Sequence, residues 1–103
     1  MKQIDHGLSV GVWGVNRHDN IYRLNKDYSW TQISGSLKHV SVGAAGVWGV
    51  NKHDNIYYNL GGHSWKQISG KLKQIDSGPE GIVYGVNSND NIYCRLGIYL
   101  LLL

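Results

Sequence analysis

The run GVWGVN, three further residues and NIY occupies positions 11–22 and returns at 46–57, and a variant, GIVYGVN with NIY, stands at 81–93. Equivalent residues give the period: Trp48 follows Trp13 by 35, Trp65 follows Trp30 by 35, Asn51 follows Asn16 by 35 and Asn87 follows Asn51 by 36. A repeat of that length marks supersecondary units that cannot bury a face alone and must stack on one another. The 103 residues hold about three such units, at about 2–36, 37–72 and 73–97. SWTQISG (29–35) and SWKQISG (64–70) end the first two, but no such segment follows Tyr93. The third unit is therefore expected to be incomplete, with 98–103 an apolar tail outside the repeat that looks more like sequence read past a splice boundary than a strand.

Each unit reads as four short antiparallel strands. Fourteen Gly, seven Tyr, four Trp, no Phe and one Pro suit strands and turns rather than helices. In the second unit the expected strands are 37–43, 46–51, 55–60 and 64–69, with the polar turn 51–55 and Gly61-Gly62 between them, and 72–77 opening the third unit. Four-stranded sheets stacked radially make a β-propeller, so the fold class is all-β, with about three propeller blades forming a partial ring. Gly14, Gly49 and Gly85 fall inside second strands, where a missing side chain marks close approach by a neighbour. Trp13, Trp30, Trp48 and Trp65 are expected to fill the wedges between blades.

The series GVWGVN-x-x-D-NIY, SW-x-QISG and L-K-x-I/V, in one order over residues 2–97, resembles the tectonin repeat, most closely that of fish-egg lectins. The resemblance implies a tectonin β-propeller of five or six blades that is secreted and binds carbohydrate without catalysis, in egg and innate defence. Its implied ligands are N-acetylglucosamine, galactose and lipopolysaccharide. Three blades do not close a ring, since propellers take about four to eight; either two chains pair as a homodimer with six blades, or the chain is a fragment. Met1 precedes a segment that already matches the repeat, with no apolar signal segment before it. Extracellular location is thus an expectation of the resemblance alone. The last eight residues are too short to span a bilayer, which takes about twenty.

Binding chemistry is expected in the loops, because strands are scaffold. The turn with Arg17, His18, Asp19 and Asn20 has counterparts in Lys52, His53, Asp54 and Asn55 and in Asn89, Asp90 and Asn91. Each offers a carboxylate and amides that suit vicinal hydroxyls. Asp and Asn are also the usual residues of a tight turn, so the same cluster reads as turn architecture. Lys2, Lys38 and Lys73 read as solvated strand charges, or as contacts to a lipopolysaccharide phosphate. Tyr22, Tyr57 and Tyr93 read as packing residues, while His63 and Tyr28, before the SW segments, could vary specificity between blades.

Each unit supplies at most one turn histidine, His18 or His53, against the three or four ligands zinc needs, so no metal site is expected through them; calcium is left open. No cofactor is called for. A net charge of +3 without dense Lys/Arg runs argues against nucleic acid. No nucleophile–base–acid arrangement, phosphate-cradling loop or paired carboxylates appear, so an enzyme is not expected. Cys94, the only cysteine, admits a buried thiol or a disulfide joining two half-rings. The expected function is multivalent glycan binding. The alternatives are a propeller that contacts a protein or phospholipid head group, and a truncated piece without function.

Overall fold

The computed structural model describes residues 1–7, 10–78, 81–96 and 99–102. Its described residues form three four-stranded antiparallel sheets and no helix. The first blade holds β1 (Gln3–Gly7), β2 (Gly11–Val15), β3 (Ile21–Leu24) and β4 (Trp30–Ile33), paired in chain order. The second holds β5 (His39–Gly43), β6 (Gly46–Val50), β7 (Asn55–Gly61) and β8 (Ser64–Lys71), and the third β9 (Gln74–Ser77), β10 (Ile82–Val86), β11 (Ile92–Leu96) and β12 (Tyr99–Leu102). The sheets are successive blades of a partial β-propeller. First strands β1, β5 and β9 neighbour one another, so they line the axis and fourth strands lie outermost.

The third blade differs from the expectation that its fourth strand is missing and that 98–103 stands apart. Tyr99–Leu102 pairs with β11 in the register of the other fourth strands, with Arg95 opposite Leu100 where Asn59 faces Trp65 and Leu24 faces Trp30. A sheet edge recruits a strand through main-chain hydrogen bonds, and these need no Ser-Trp motif.

The core lies between blades rather than within them. At the first junction Trp13, Val15, Ile21 and Ile33 of one blade meet Leu37, Val40, Val42 and Val47 of the next. At the second, Trp48, Val50 and Ile56 meet Leu72, Ile75 and Val83. Alternation along each strand feeds both faces of the middle blade, which explains its burial on both sides. Gly43 marks the closest approach: a Cβ there would lie 2.2 Å from the Ser77 carbonyl oxygen of the next blade.

Two of the four tryptophans fit the wedge reading without change, since Trp13 and Trp48 are buried. Trp65 is partly buried and meets Trp13 edge-on, with ring centroids 6.1 Å apart at 78°. Trp30 corrects the expectation, because it is exposed. The fourth-strand tryptophan packs on the second strand of the preceding blade, as Trp65 does on Trp13, and among the described residues no blade lies against the face that carries Trp30.

Side chains also cross the junctions near the axis. Gln3 donates from Nε2 to the Val40 carbonyl oxygen at 2.7 Å and accepts from the Val40 amide at 2.8 Å. The Val42 amide donates to Asp5 Oδ2 at 2.8 Å. One junction on, His39 Nε2 lies 3.1 Å from the Ile75 carbonyl oxygen, and the Ser77 amide donates to Ser41 Oγ at 2.7 Å.

Candidate functional site

Antiparallel pairing puts the turns after second strands and the links between blades at the same end of the partial ring. In each turn one asparagine accepts two amides: Asn16 Oδ1 from His18 and Asn20, Asn51 Oδ1 from His53 and Asn55, and Asn87 Oδ1 from Asn89 and Asn91. Asp19, Asp54 and Asp90 follow in left-handed backbone (φ 64°, 65° and 64°), a conformation that Asp tolerates better than most residues. The main chain of the turn also seats the next blade, since the Leu37 amide donates to the Asp19 carbonyl and the Leu72 amide to the Asp54 carbonyl.

The carboxylates are paired. Lys2 Nζ meets Asp19 Oδ1 at 2.8 Å, Lys38 meets Asp54 at 2.5 Å and Lys73 meets Asp90 at 2.8 Å. The Lys73 ammonium holds the exposed Asp90 carboxyl below its ordinary value, first by its hydrogen bond and then by its charge. These lysines are thus counter-ions of the turn, and the pairs leave neither partner a free charge. Asn55 Oδ1 accepts from Lys71 Nζ. What the turn presents outward is Arg17, His18, Lys52, His53 and Asn89, all exposed. Arg17 Nε donates to His18 Nε2 at 3.4 Å. Asn20 stays half-buried at the strand entry, and Asn91 is exposed at the equivalent place.

A better-formed concavity opens beside these turns at the first junction. Its volume is about 240 Å³, and Ile21, Gly35, Ser36, Leu37, Asn51, Tyr57 and Trp65 line it. Ile21 and Leu37 are buried and make an apolar floor. Trp65 is fixed as a wall because its indole Nε1 donates to the Ser34 carbonyl oxygen at 2.8 Å. His63 secures the same residue: its Nδ1 accepts the Ser34 amide at 3.0 Å and lies 3.2 Å from Ser34 Oγ. His63 therefore fastens two blades, a role its loop position does not announce. Tyr28, at the equivalent place in the first blade, is exposed with φ 68°.

The cleft residues escaped selection from sequence because Tyr57, Trp65 and Leu37 carry the signature of packing and only their meeting across two blades makes a recess. The signal that could have found them is asymmetry between repeats. At the second junction the places of Ser36 and Trp65 fall to Lys71 and, by strand register, Leu100. The three units are therefore not three copies of one site.

Cys94 is a buried free thiol. Among the described residues no three His, Cys, Asp or Glu side chains converge as a metal site would need. No described helix is long and apolar enough to cross a membrane. The chemistry available to the cleft is that of recognition: apolar and aromatic walls, an amide and a hydroxyl at its edge.

The family model described as Tectonin domain matches residues 1–99. The chain matches no curated protein.

Proposed function

This chain belongs to the tectonin domain family, and on that premise we propose that it is a non-enzymatic glycan-binding propeller, with the cleft between its first two blades as the sugar site. The observation that carries the reading is the recess itself, where the rigid Trp65 and the half-buried Tyr57 stand over an apolar floor and Ser36 and Asn51 stand at the edge. A pyranose has an apolar face and a rim of hydroxyls, and such a recess offers a partner for each. At about 240 Å³ the cleft falls below the usual 300–1,000 Å³ of drug-sized pockets, which suits a single residue such as N-acetylglucosamine or galactose. A lipopolysaccharide would be read through one of its sugars, because Lys2, Lys38 and Lys73 already neutralise turn carboxylates.

One such contact is weak, and useful affinity for a glycan-dense surface needs several such clefts on chains held together. The test is a glycan array read with wild type and with Ser36→Trp, which fills the cleft from an exposed position. Binding to terminal N-acetylglucosamine or galactose by wild type, abolished in Ser36→Trp, supports the reading. Equal binding by both proteins, or binding only to phospholipid vesicles, refutes it.

A further inference from the structure

The repeat carries its own example of what one edge of the cleft can hold. Ser36 lines the cleft at the first junction, and Lys71 stands at its place at the second. The Lys71 ammonium folds back onto the turn of its own blade, where Asn55 Oδ1 accepts its hydrogen bond and the His53 carbonyl oxygen lies 3.4 Å away. Both acceptors return in the first blade, at Asn20 and His18. The link between blades is seated on the two turns in the same way, with the Leu37 amide on the Asp19 carbonyl at 3.0 Å and the Leu72 amide on the Asp54 carbonyl at 2.9 Å. The same pair of acceptors therefore stands beside Ser36, whose short side chain makes no bond to it. Among the described residues neither the Asn20 side chain nor the His18 carbonyl has a hydrogen-bond partner. The neighbouring charges repeat too. The pair that holds Lys71 lies in the turn of Lys52 and the Lys38–Asp54 ion pair, and its counterpart lies in the turn of Arg17 and the Lys2–Asp19 ion pair. A cation accepted by the one turn meets the same surroundings at the other.

This pair is selective in its chemistry. A carbonyl oxygen only accepts, and two acceptors turned on one point call for a group with more than one polar hydrogen. A primary ammonium has three, whereas a hydroxyl or a secondary amide has one. The other polar groups of the cleft supply donors instead. Asn51 Oδ1 already accepts the amides of His53 and Asn55, which leaves its Nδ2 hydrogens for a ligand, and Trp65 Nε1 is taken by the Ser34 carbonyl. Asn20 adjoins Ile21 of the apolar floor, so a cationic substituent on the rim of a ring seated in the cleft is directed to the pair.

We infer that the cleft selects an amino sugar whose primary amine is free, such as glucosamine, and that His18 and Asn20 hold its ammonium as His53 and Asn55 hold that of Lys71. The inference rests on the cleft being the sugar site and adds the substituent by which it chooses. N-acetylation removes the charge and leaves one N–H, so the acetylated sugar still fits the walls but loses the charge-assisted bonds.

The test is calorimetric titration of the purified chain with glucosamine and with N-acetylglucosamine, in a buffer acid enough to keep the amine protonated. Wild type is expected to bind glucosamine about tenfold more tightly, the worth of one hydrogen bond to a charged group. Ser36→Lys places the chain's own ammonium on the pair and should remove that preference. Asn20→Ala should bring the two sugars to parity as well, and it spares the turn, because Asn20 holds Asn16 through its main chain alone. The near-ultraviolet dichroism of the Trp13–Trp65 pair reports whether each variant is folded. Equal binding of both sugars by wild type would overturn the inference and leave the glycan-binding reading in place. Binding of neither sugar would overturn both. A preference for glucosamine that persists in folded Asn20→Ala and Ser36→Lys would put the ammonium elsewhere and overturn the assignment to this pair.

Discussion

Gly43→Ala is the sharpest test of how the blades are spaced. Gly43 has no left-handed backbone among the positive-φ glycines, so alanine meets no conformational penalty there. The added methyl would stand 2.2 Å from the Ser77 oxygen, 2.6 Å from the Gly78 oxygen and 2.7 Å from the Ser77 carbonyl carbon. An ordinary carbon–oxygen contact is about 3.3 Å, so the third blade must retreat by roughly 1 Å at this point. The obstructing atoms are backbone, and backbone cannot turn aside as a side chain can. A gap of that width forfeits about a quarter to a half of the dispersion energy of the contacts it opens, and the core of that junction holds Trp48, Val50 and Ile75. Overpacking of this kind costs about 1–3 kcal/mol, and the clash with three main-chain atoms puts this case near the upper end. The stiffer unfolded chain returns about 0.4–1 kcal/mol, which leaves a net loss of about 2 kcal/mol. Gly7→Ala is the comparison, because the one atom its Cβ would crowd is the Val42 Cγ1 methyl, at 2.9 Å, with the backbone at an ordinary 3.7 Å. Its loss should be about 1 kcal/mol or less. Urea unfolding followed by tryptophan fluorescence measures both. The reasoning fails if Gly43→Ala unfolds within about 0.5 kcal/mol of wild type, or if Gly7→Ala costs more.

Burial pushes the His39 imidazole below its ordinary value, against the raising pull of its bond to Ile75 and of Asp5 and Asp76. The unfolded chain therefore takes up the proton first, and the junction should lose stability as pH falls below about 6.5, the ordinary histidine value. His39→Gln installs the residue found at Gln3 and Gln74; it should remove that part of the acid sensitivity and add about 1 kcal/mol through a second bond to Ile75, read by urea midpoints at pH 8 and pH 5.5. Trp48 Nε1 donates to the Ala45 oxygen at 3.0 Å, whereas Trp13 Nε1 is buried without a partner. Trp48→Phe should consequently cost about 1 kcal/mol more than Trp13→Phe in chemical denaturation. Lys38→Met removes a partly exposed ion pair and should change stability by no more than about 1 kcal/mol, and a larger loss in low-salt thermal melts would assign the pair more weight than its exposure allows.

Much of this was legible because the repeat states the same design three times. Trp13 and Trp48 in GVWGV, with the interrupting Gly14 and Gly49, gave strand, face and neighbour together, since only a stacked blade needs both a large ring and a bare backbone. The turn at 16–20 was legible for a weaker reason. Asn16 and Asp19 suit a left-handed turn and a ligand equally, and only the pairing of Asp19 with Lys2, seventeen residues away, shows where the carboxylate is spent. Trp30 misled because the fourth-strand tryptophan packs on a neighbouring blade rather than within its own, and no described blade lies against Trp30. The strand at 99–102 misled in the opposite sense, because the backbone pairs where the motif is lost. The cleft by Trp65 was hidden because its walls come from two units and each wall alone reads as core.

The most direct test of the glycan-binding account is a nitrogen-15 nuclear magnetic resonance titration of the wild-type chain with N-acetylglucosamine and, separately, galactose. The account predicts saturable shifts for one of the sugars at the Trp65 indole and at the amides of Ser36, Asn51 and Tyr57, while Ser88 and Asn89 of the third turn stay still. Shifts confined to Arg17, His18, Lys52 and His53, or none with either sugar, would contradict it.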